Sequence, residues 1–170
     1  QTWFEEKFPE ELAAKLPEPP EGSKWTFDNL ADYLTTGEGA HGDAERGALV
    51  YEKSQCVKCH RFGGSGEVIG PDLSNVQKRF TRKEILEAIM FPSHVISDQY
   101  RSKHMVTTDG RSYSGLVVPG AAKEWIVLQA NGKKVAVPQD QVETLQPSKQ
   151  SAMPAKLLDT LTLQEITDLF

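Results

Sequence analysis

The segment SQCVKCHRFGG, residues 54–64, contains both cysteines of the chain, Cys56 and Cys59, and His60 follows them directly. Two cysteines at this spacing can form a disulfide, half of a zinc site, a thiol redox pair or the attachment site of a haem. These four kinds of site differ in what the rest of the chain must supply. The surrounding sequence is therefore informative about which one is present.

The rest of the sequence disfavours three of the four sites. A disulfide between Cys56 and Cys59 would close a very short loop and would stabilise the fold little. A structural zinc ion needs four ligands, and the sequence has no second cysteine pair and no closely spaced histidine pair to complete them. A thioredoxin-like pair needs a βαβ context, whereas the residues before Cys56 have a helical pattern. None of these three sites requires His60.

A covalent haem uses all three residues of the motif. Cys56 and Cys59 lie about one helical turn apart, so both thiols can add to the two vinyl groups of one haem. His60 would then lie under the iron and supply one axial nitrogen. We therefore predict one haem c per chain, attached through Cys56 and Cys59, with His60 as an iron ligand.

Helices are predicted on both sides of this segment. Asp43 is typical of the N-cap of a helix over AERGALVYEKS, residues 44–54, and Gly47 would let that helix cross another one closely. Thr81 and Glu84 predict a capping box at the start of a second helix, residues 81–90. The inward stripe of this second helix is predicted to consist of Ile85, Leu86 and Ile89.

The two ends of the chain also predict helices. Thr162 and Glu165 indicate the start of a final helix. Its predicted inward residues are Leu163, Ile166, Leu169 and Phe170. TFDNLADYL, residues 26–34, predicts a short helix near the N-terminus, and an earlier helical face is predicted from four-residue spacing. That earlier face consists of Phe4, Phe8, Leu12 and Leu16.

The pattern becomes β-like near residue 100. The runs over residues 101–118 and 124–138 contain the dipeptides Asp109-Gly110 and Asn131-Gly132, which are typical of β-hairpin turns. QDQVETL, residues 139–145, is a candidate fifth strand. We expect a mostly α fold with a small antiparallel β insert, or partial barrel. The predicted parts are a helical arm and linker at 1–42, a helical core at 43–99 plus 146–170, and the β insert at 100–145.

The order of these motifs resembles that of a known family. GALVYEKSQCVKCH at 47–60, GPDL at 70–73 and MP at 153–154 before a final helix are similar to the corresponding parts of a class I c-type cytochrome. More narrowly, residues 70–100, the DG…Y.G hairpin and the C-terminal segment resemble the Planctomycetes/Verrucomicrobia-type haem-binding domain. That family is a cytochrome c module often fused to dehydrogenase-like domains. The resemblance covers roughly Asp43 to Phe170 and implies a cytochrome c fold around a covalent haem.

Three further site residues are expected. The Gly70-Pro71 turn can bring the Pro71 carbonyl to the Nδ1 hydrogen of His60, which would orient the imidazole ring. Met153 lies in a short loop before the final helix, as the Met ligand does in cytochromes c, and is the expected sixth ligand of the iron. His94 is the alternative sixth ligand. The β insert explains the long separation of Met153 from the motif, but an insert could also displace the Met153 loop.

Composition limits the classes of partner. The net charge is −5 with a pI near 5.4, and the lysines and arginines are scattered, which argues against nucleic-acid binding. No apolar run approaches the roughly 18 residues that a membrane span requires. The chain begins at Gln1 and stops within a predicted helix, so we expect a mature or trimmed product, or part of a longer protein.

An iron closed by His60 and Met153 has no free position for a substrate. We therefore expect a one-electron carrier or relay, not an enzyme, which serves a dehydrogenase or a respiratory chain. Its expected partners are a donor dehydrogenase and an acceptor cytochrome or oxidase. The alternative is a haem enzyme or gas sensor with an open or labile sixth position. The resemblance implies a periplasmic or otherwise exocytoplasmic location, and the β insert is either a docking module or a passive elaboration.

Overall fold

The structure is a computed structural model that describes residues 16–170. The expected helical face formed by Phe4, Phe8 and Leu12 lies outside these residues. The described part of the chain forms four α-helices: α1 (Phe27–Thr35), α2 (Ala44–Lys53), α3 (Arg82–Met90) and α4 (Leu163–Leu169).

The strands form a two-residue hairpin and a five-stranded antiparallel sheet. The hairpin pairs β1 (Arg61–Phe62) with β2 (Ser65–Gly66). The sheet has the order β6-β5-β4-β3-β7 and is formed by β3 (Arg101–Thr107), β4 (Ser112–Pro119), β5 (Glu124–Leu128), β6 (Lys134–Pro138) and β7 (Val142–Ser151).

The expectation of a mostly α fold is therefore wrong, because the sheet contributes as much regular backbone as the helices do. The difference arises partly in β7, which was expected to end at Leu145 and continues to Ser151. The segment QPSKQS, residues 146–151, is polar and lacks the apolar alternation of a strand. It is nevertheless held in the sheet because Gln146, Pro147 and Ser151 pair with β3, with a register shift between Pro147 and Ser151.

The predicted helix starts are confirmed. The Asp43 side chain accepts a hydrogen bond from the backbone N–H of Arg46 at 2.9 Å. Thr81 begins α3 with a complete capping box, and Thr162 does the same for α4. Each of these side chains satisfies backbone N–H groups that have no partner within the helix.

The helices share one apolar core. It is built from buried residues of α1, α2, α3 and α4 together with the segments that lead out of α3 and into α4. These residues are Phe27, Leu30, Ala31, Leu34, Val50, Leu86, Phe91, Leu158, Leu161 and Ile166. Helix α1 lies within the stretch expected to be an arm, yet its apolar face is part of this core.

Two predicted stripes differ in detail from the packing. In α3, Leu86 is fully buried while Ile85 and Ile89 are only half-buried. In α4, Leu163 was expected to face inward, and this is wrong because the side chain is 38% exposed. Helix α4 is turned so that Ile166, together with the polar Thr167 and Asp168, faces the core instead.

Helices α2 and α4 cross at Gly47, as the sequence predicted. A Cβ atom on Gly47 would lie 2.1 Å from the backbone oxygen of Asp168, so a side chain at this position would force the helices apart. Because Gly47 has no side chain, α2, which precedes the cysteine motif, can pack closely against α4.

The sheet has a separate small core formed by Met105, Val127 and Val137. Its first and last strands are neighbours, and Arg101 pairs with Ser151. The sheet therefore leaves and rejoins the helical part at adjacent points. The two predicted hairpin turns are present, with φ of 82° at Gly110 and 79° at Gly132.

Candidate haem-binding site

The cysteine motif follows α2 after a sharp change of direction. Gln55 adopts a left-handed φ of 63°, and a single 3-10 turn then covers Cys56–Lys58. The backbone N–H groups of Cys59 and His60 both donate to the Cys56 carbonyl, at 3.1 and 2.9 Å. This compact turn carries both thiols and the imidazole within five residues, Cys56–His60.

The two thiols are free and half-buried. Burial raises the pKa of the Cys56 thiol above its usual value, and burial also raises the pKa of the Cys59 thiol, against the opposing charge of Lys58. A reactive thiol redox pair needs a lowered pKa, so this environment disfavours such a pair. Among residues 16–170 there is also no cluster of three or more side chains that could hold a metal ion such as zinc.

His60 is oriented through its ring nitrogen. Its Nδ1 lies 2.9 Å from the Pro71 carbonyl oxygen, which is the contact predicted from the Gly70-Pro71 turn. With the proton on Nδ1, the ring donates to this carbonyl, and the lone pair of Nε2 is available to a metal. A hydrogen bond of this kind fixes the direction in which the imidazole can bind iron.

Two glycines make room for His60. A Cβ atom on Gly70 would lie 2.7 Å from Cε1 and 2.9 Å from Nδ1 of the ring. A Cβ atom on Gly66 would lie 2.1 Å from the His60 carbonyl oxygen, and Gly66 also has a φ of 98° that favours glycine. Gly70 was visible within the GPDL motif, whereas the role of Gly66 depends on the β1–β2 hairpin and was not predicted.

Tyr51 also restrains His60 and was not predicted to do so. Its hydroxyl donates a hydrogen bond of 2.6 Å to the His60 carbonyl, and its ring lies 6.1 Å from that of Phe62. The pKa of Tyr51 is raised to about 12, mainly by burial and next by the nearby Cys56. The phenol is therefore protonated, and remains a donor, at neutral pH. The sequence signal was only an aromatic residue near the end of α2.

The residues after the motif offer apolar surface. Phe62 is 49% exposed and Val68 is 65% exposed, while Ile69 and Leu73 are half-buried. An apolar macrocycle bound at His60 would cover surface of this kind. Two adjacent thiols, an oriented imidazole and an apolar surface together fit a covalently bound haem.

The two candidate sixth ligands lie on a common cleft. This cleft has a volume of about 550 Å³ and is lined by Met153 and His94, together with Met90 and Phe91. His94 Nε2 lies 3.8 Å from a carboxylate oxygen of Glu87. None of the residues lining the cleft belongs to the Cys56–His60 segment. The structure thus brings the two candidate sixth ligands, Met153 and His94, together on one cleft.

The two free thiols, the oriented imidazole and the surrounding helices are compatible with a covalently bound haem. Residues 44–116 match the family described as Cytochrome c. The match includes α2, the cysteine motif, α3 and the first strand of the sheet, and it ends before Met153.

The chain is also similar to part of a curated protein. Over 58 residues the chain is 34% identical to a protein from Halomonas halodenitrificans that is named as a nitric oxide reductase subunit. The aligned part is 34% of this chain and 37% of that protein, so the chain spans little more than a third of the relative's length. In residues 16–170, no helix combines the length and the apolar character needed to cross a membrane.

Proposed function

We propose that this protein is a monohaem c-type cytochrome that carries or relays single electrons. The observation that supports this most directly is the Nδ1 contact of His60 with the Pro71 carbonyl, next to two free thiols on one turn. A hydrogen bond at Nδ1 is the usual arrangement of a histidine whose other nitrogen binds a metal. The family match in the same part of the chain agrees with this function.

The residues would divide the work as follows. Cys56 and Cys59 would hold the haem through thioether bonds, and His60 and Met153 would be the ligands of its iron. The soft thioether of Met153 would favour the reduced iron relative to a second histidine. Bound haem contributes an iron that gains and loses one electron. Pro71 orients His60 by accepting its Nδ1 hydrogen, so that little has to move when the charge of the iron changes.

The finer biological role follows from the resemblance and the relative. The name of the relative places that protein in a nitric oxide reductase, which supports a role for this chain as an electron-transfer module of a respiratory assembly. Membership of the Planctomycetes/Verrucomicrobia-type family would instead favour a donor dehydrogenase. In either case we propose that the acceptor is a cytochrome or an oxidase and that the location is periplasmic or otherwise exocytoplasmic.

A second candidate function is a haem enzyme or gas sensor. It is favoured by the cleft of about 550 Å³ beside Met153, which offers space for a small ligand close to the proposed sixth position. In this case Met153 or His94 would bind the iron only weakly, and an external ligand would replace it.

The absorption spectrum of the reduced protein with and without carbon monoxide separates the two functions. A carrier has a sharp low-spin spectrum that carbon monoxide changes only slowly, because Met153 has to leave the iron first, and its oxidised form shows the weak far-red band typical of Met ligation. A high-spin spectrum with rapid carbon monoxide binding would contradict the carrier. Met153→Ala should remove the far-red band, and His94→Ala should leave it in place. The reverse result would assign the sixth position to His94.

A further inference from the structure

The residues before α1 form an extended segment that lies against the loop containing Met153. We call residues 16–26 the strap and residues 152–162 the Met153 loop. Three prolines of PEPPEG, residues 17–22, restrict the strap in the unfolded chain, so ordering it costs less conformational entropy than ordering an unrestricted segment. Ser23 closes a turn by donating to the Pro20 carbonyl from both its backbone N–H and its hydroxyl.

Polar contacts join residues 21–25 of the strap to residues 156–161 of the Met153 loop. The Trp25 indole N–H donates to the Leu158 carbonyl at 3.0 Å, and the Lys24 ammonium group donates to the Leu161 carbonyl at 2.7 Å. In the other direction, the Lys156 ammonium group donates to the Glu21 carbonyl. Each contact joins residues that are more than 130 positions apart in the chain.

Apolar contacts accompany these hydrogen bonds. Leu158 and Leu161 are buried in the helical core, and Trp25 and Leu16 of the strap pack against that core. Pro17 and Pro20 line the cleft to which Met153 also contributes. The strap is therefore a wall of the cleft that holds the proposed sixth ligand.

The other end of the Met153 loop is anchored by a different part of the chain. The backbone N–H of Ser151, at the end of β7, donates to the Ser93 hydroxyl at 3.0 Å, and the N–H of Met153 donates to the Ser151 hydroxyl at 3.1 Å. The sheet thus fixes where the loop begins, while the strap fixes residues 156–161. Met153 lies between the two anchors.

We propose that the strap positions the Met153 loop and thereby keeps Met153 on the iron, with Lys24 and Trp25 as positioning residues. This inference rests on the proposed function, because it assumes that Met153 is the sixth ligand. The Met153 loop follows strand β7, so no helix directly before it in the chain holds it in place. Hydrogen bonds from the strap to its backbone carbonyls supply that restraint and oppose dissociation of the thioether.

The test compares two double variants that make the same chemical changes. Lys24→Met with Trp25→Phe removes both strap donors but keeps most of the apolar surface. Lys123→Met with Trp125→Phe makes the matched change on the sheet. The measurements on the haem-loaded chain are the far-red band of the oxidised form and the rate of carbon monoxide binding to the reduced form. Hydrogen–deuterium exchange of residues 152–162 provides a readout that does not depend on the haem spectrum.

We expect the strap variant to bind carbon monoxide roughly tenfold faster than wild type, as loss of two hydrogen bonds predicts, and to exchange faster over residues 152–162. The sheet variant should match wild type in both respects. The proposed role of the strap is contradicted if the strap variant matches wild type in carbon monoxide binding, in the far-red band and in hydrogen–deuterium exchange. The proposed function is untouched by that result, provided that Met153→Ala removes the band.

Other outcomes are equally decisive. A far-red band that persists in Met153→Ala would overturn both the sixth-ligand assignment and the strap's role in maintaining it. If the double variant does not fold, the single variant Lys24→Met provides the same comparison, because the Lys24 side chain is exposed. Faster carbon monoxide binding in that variant supports the positioning role of the strap, and a wild-type rate contradicts that role.

Discussion

His60 is the residue on which the proposed haem site depends, and its surroundings restrain it at both the ring and the backbone. Pro71 accepts from the ring, Tyr51 donates to the carbonyl, and Gly66 and Gly70 leave space that any side chain would fill. At this scale the structure predicts that small changes beside the imidazole affect the haem more than they affect the fold.

Gly70→Ala tests this restraint. The added methyl group would lie 2.7 Å from Cε1 of His60, so the ring has to move away from the Pro71 carbonyl. We expect a smaller fraction of chains with bound haem and a weakened axial bond, seen as a high-spin component in the visible spectrum.

Gly63→Ala is the control for backbone strain. Gly63 has a φ of 56°, but a Cβ atom there would have no neighbour within 4 Å. This variant should lose about 1 kcal/mol of unfolding free energy and keep a wild-type spectrum. An unchanged spectrum in Gly70→Ala would show that the ring is not confined as the structure indicates.

The sequence made some of these residues predictable and not others. Cys56, Cys59 and His60 are adjacent in the chain, and the Pro71 contact follows from a local Gly-Pro turn, so their arrangement could be inferred from spacing. Their roles as haem-binding residues remain a prediction. Tyr51 was not assigned to His60, because the contact depends on how α2 is placed over the motif, and that placement is set by tertiary packing.

At the scale of elements, α2 and α4 determine where the motif begins, and Asp168 connects them. Its side chain is 2% exposed and accepts from the Arg46 guanidinium at 2.7 and 2.8 Å and from the Asp43 backbone N–H at 2.9 Å. The Arg46 guanidinium is the main reason that the pKa of Asp168 lies well below its usual range.

A lowered pKa makes the contribution of Asp168 depend on pH in a defined direction. The carboxylate stabilises the folded state above the unfolded pKa of about 4, and this stabilisation is lost as the pH falls further toward the folded pKa. We expect Asp168→Asn to unfold at lower urea concentration than wild type at pH 7, and the difference to shrink below about pH 4.

Glu52→Gln is the control, because Glu52 is exposed on the same helix as Arg46. It should differ little from wild type across this pH range. A difference between Asp168→Asn and wild type that stays constant from about pH 7 to about pH 3 would contradict the assigned role of the carboxylate.

The sequence predicted where helices begin better than it predicted which helix face is buried or where a strand ends. Asp43, Thr81 and Thr162 were correct as caps, because capping depends on residues within one helical turn. The inward assignment of Leu163 was wrong, since its side chain is 38% exposed, whereas Ile166, Leu169 and Phe170 of the same predicted stripe lie in or against the helical core. The end of β7 was missed because backbone pairing with β3 holds a polar segment in the sheet.

At the scale of the whole molecule, the sheet is joined to the helical part at one place and touches it at another. Arg101 and Ser151 are paired at the junction. At the far end, Lys134 lies 3.4 Å from Glu67, and a Cβ atom on Gly132 would lie 3.7 Å from the Lys58 side chain within the cysteine motif. The insert was predictable from its hairpin signals, but its contact with the motif required the structure.

Removal of the sheet tests whether it is an insert in a complete haem domain. Because Cα atoms of paired residues lie about 5 Å apart, a short glycine linker can replace residues 102–150. The separate core of the sheet predicts that the helical part still folds and binds haem. We expect a retained far-red band, and the same deletion with Met153→Ala should lack it. A chain that cannot hold haem after the deletion would show that the sheet is part of the haem domain.

A haem held by the cysteine motif should exchange single electrons, and a potentiometric titration of the purified chain, followed by its visible absorbance, measures this. We predict one reversible transition with a one-electron slope and a change in the haem bands. A two-electron transition without a visible band would indicate a dithiol–disulfide couple between Cys56 and Cys59, and it would contradict a haem at this site.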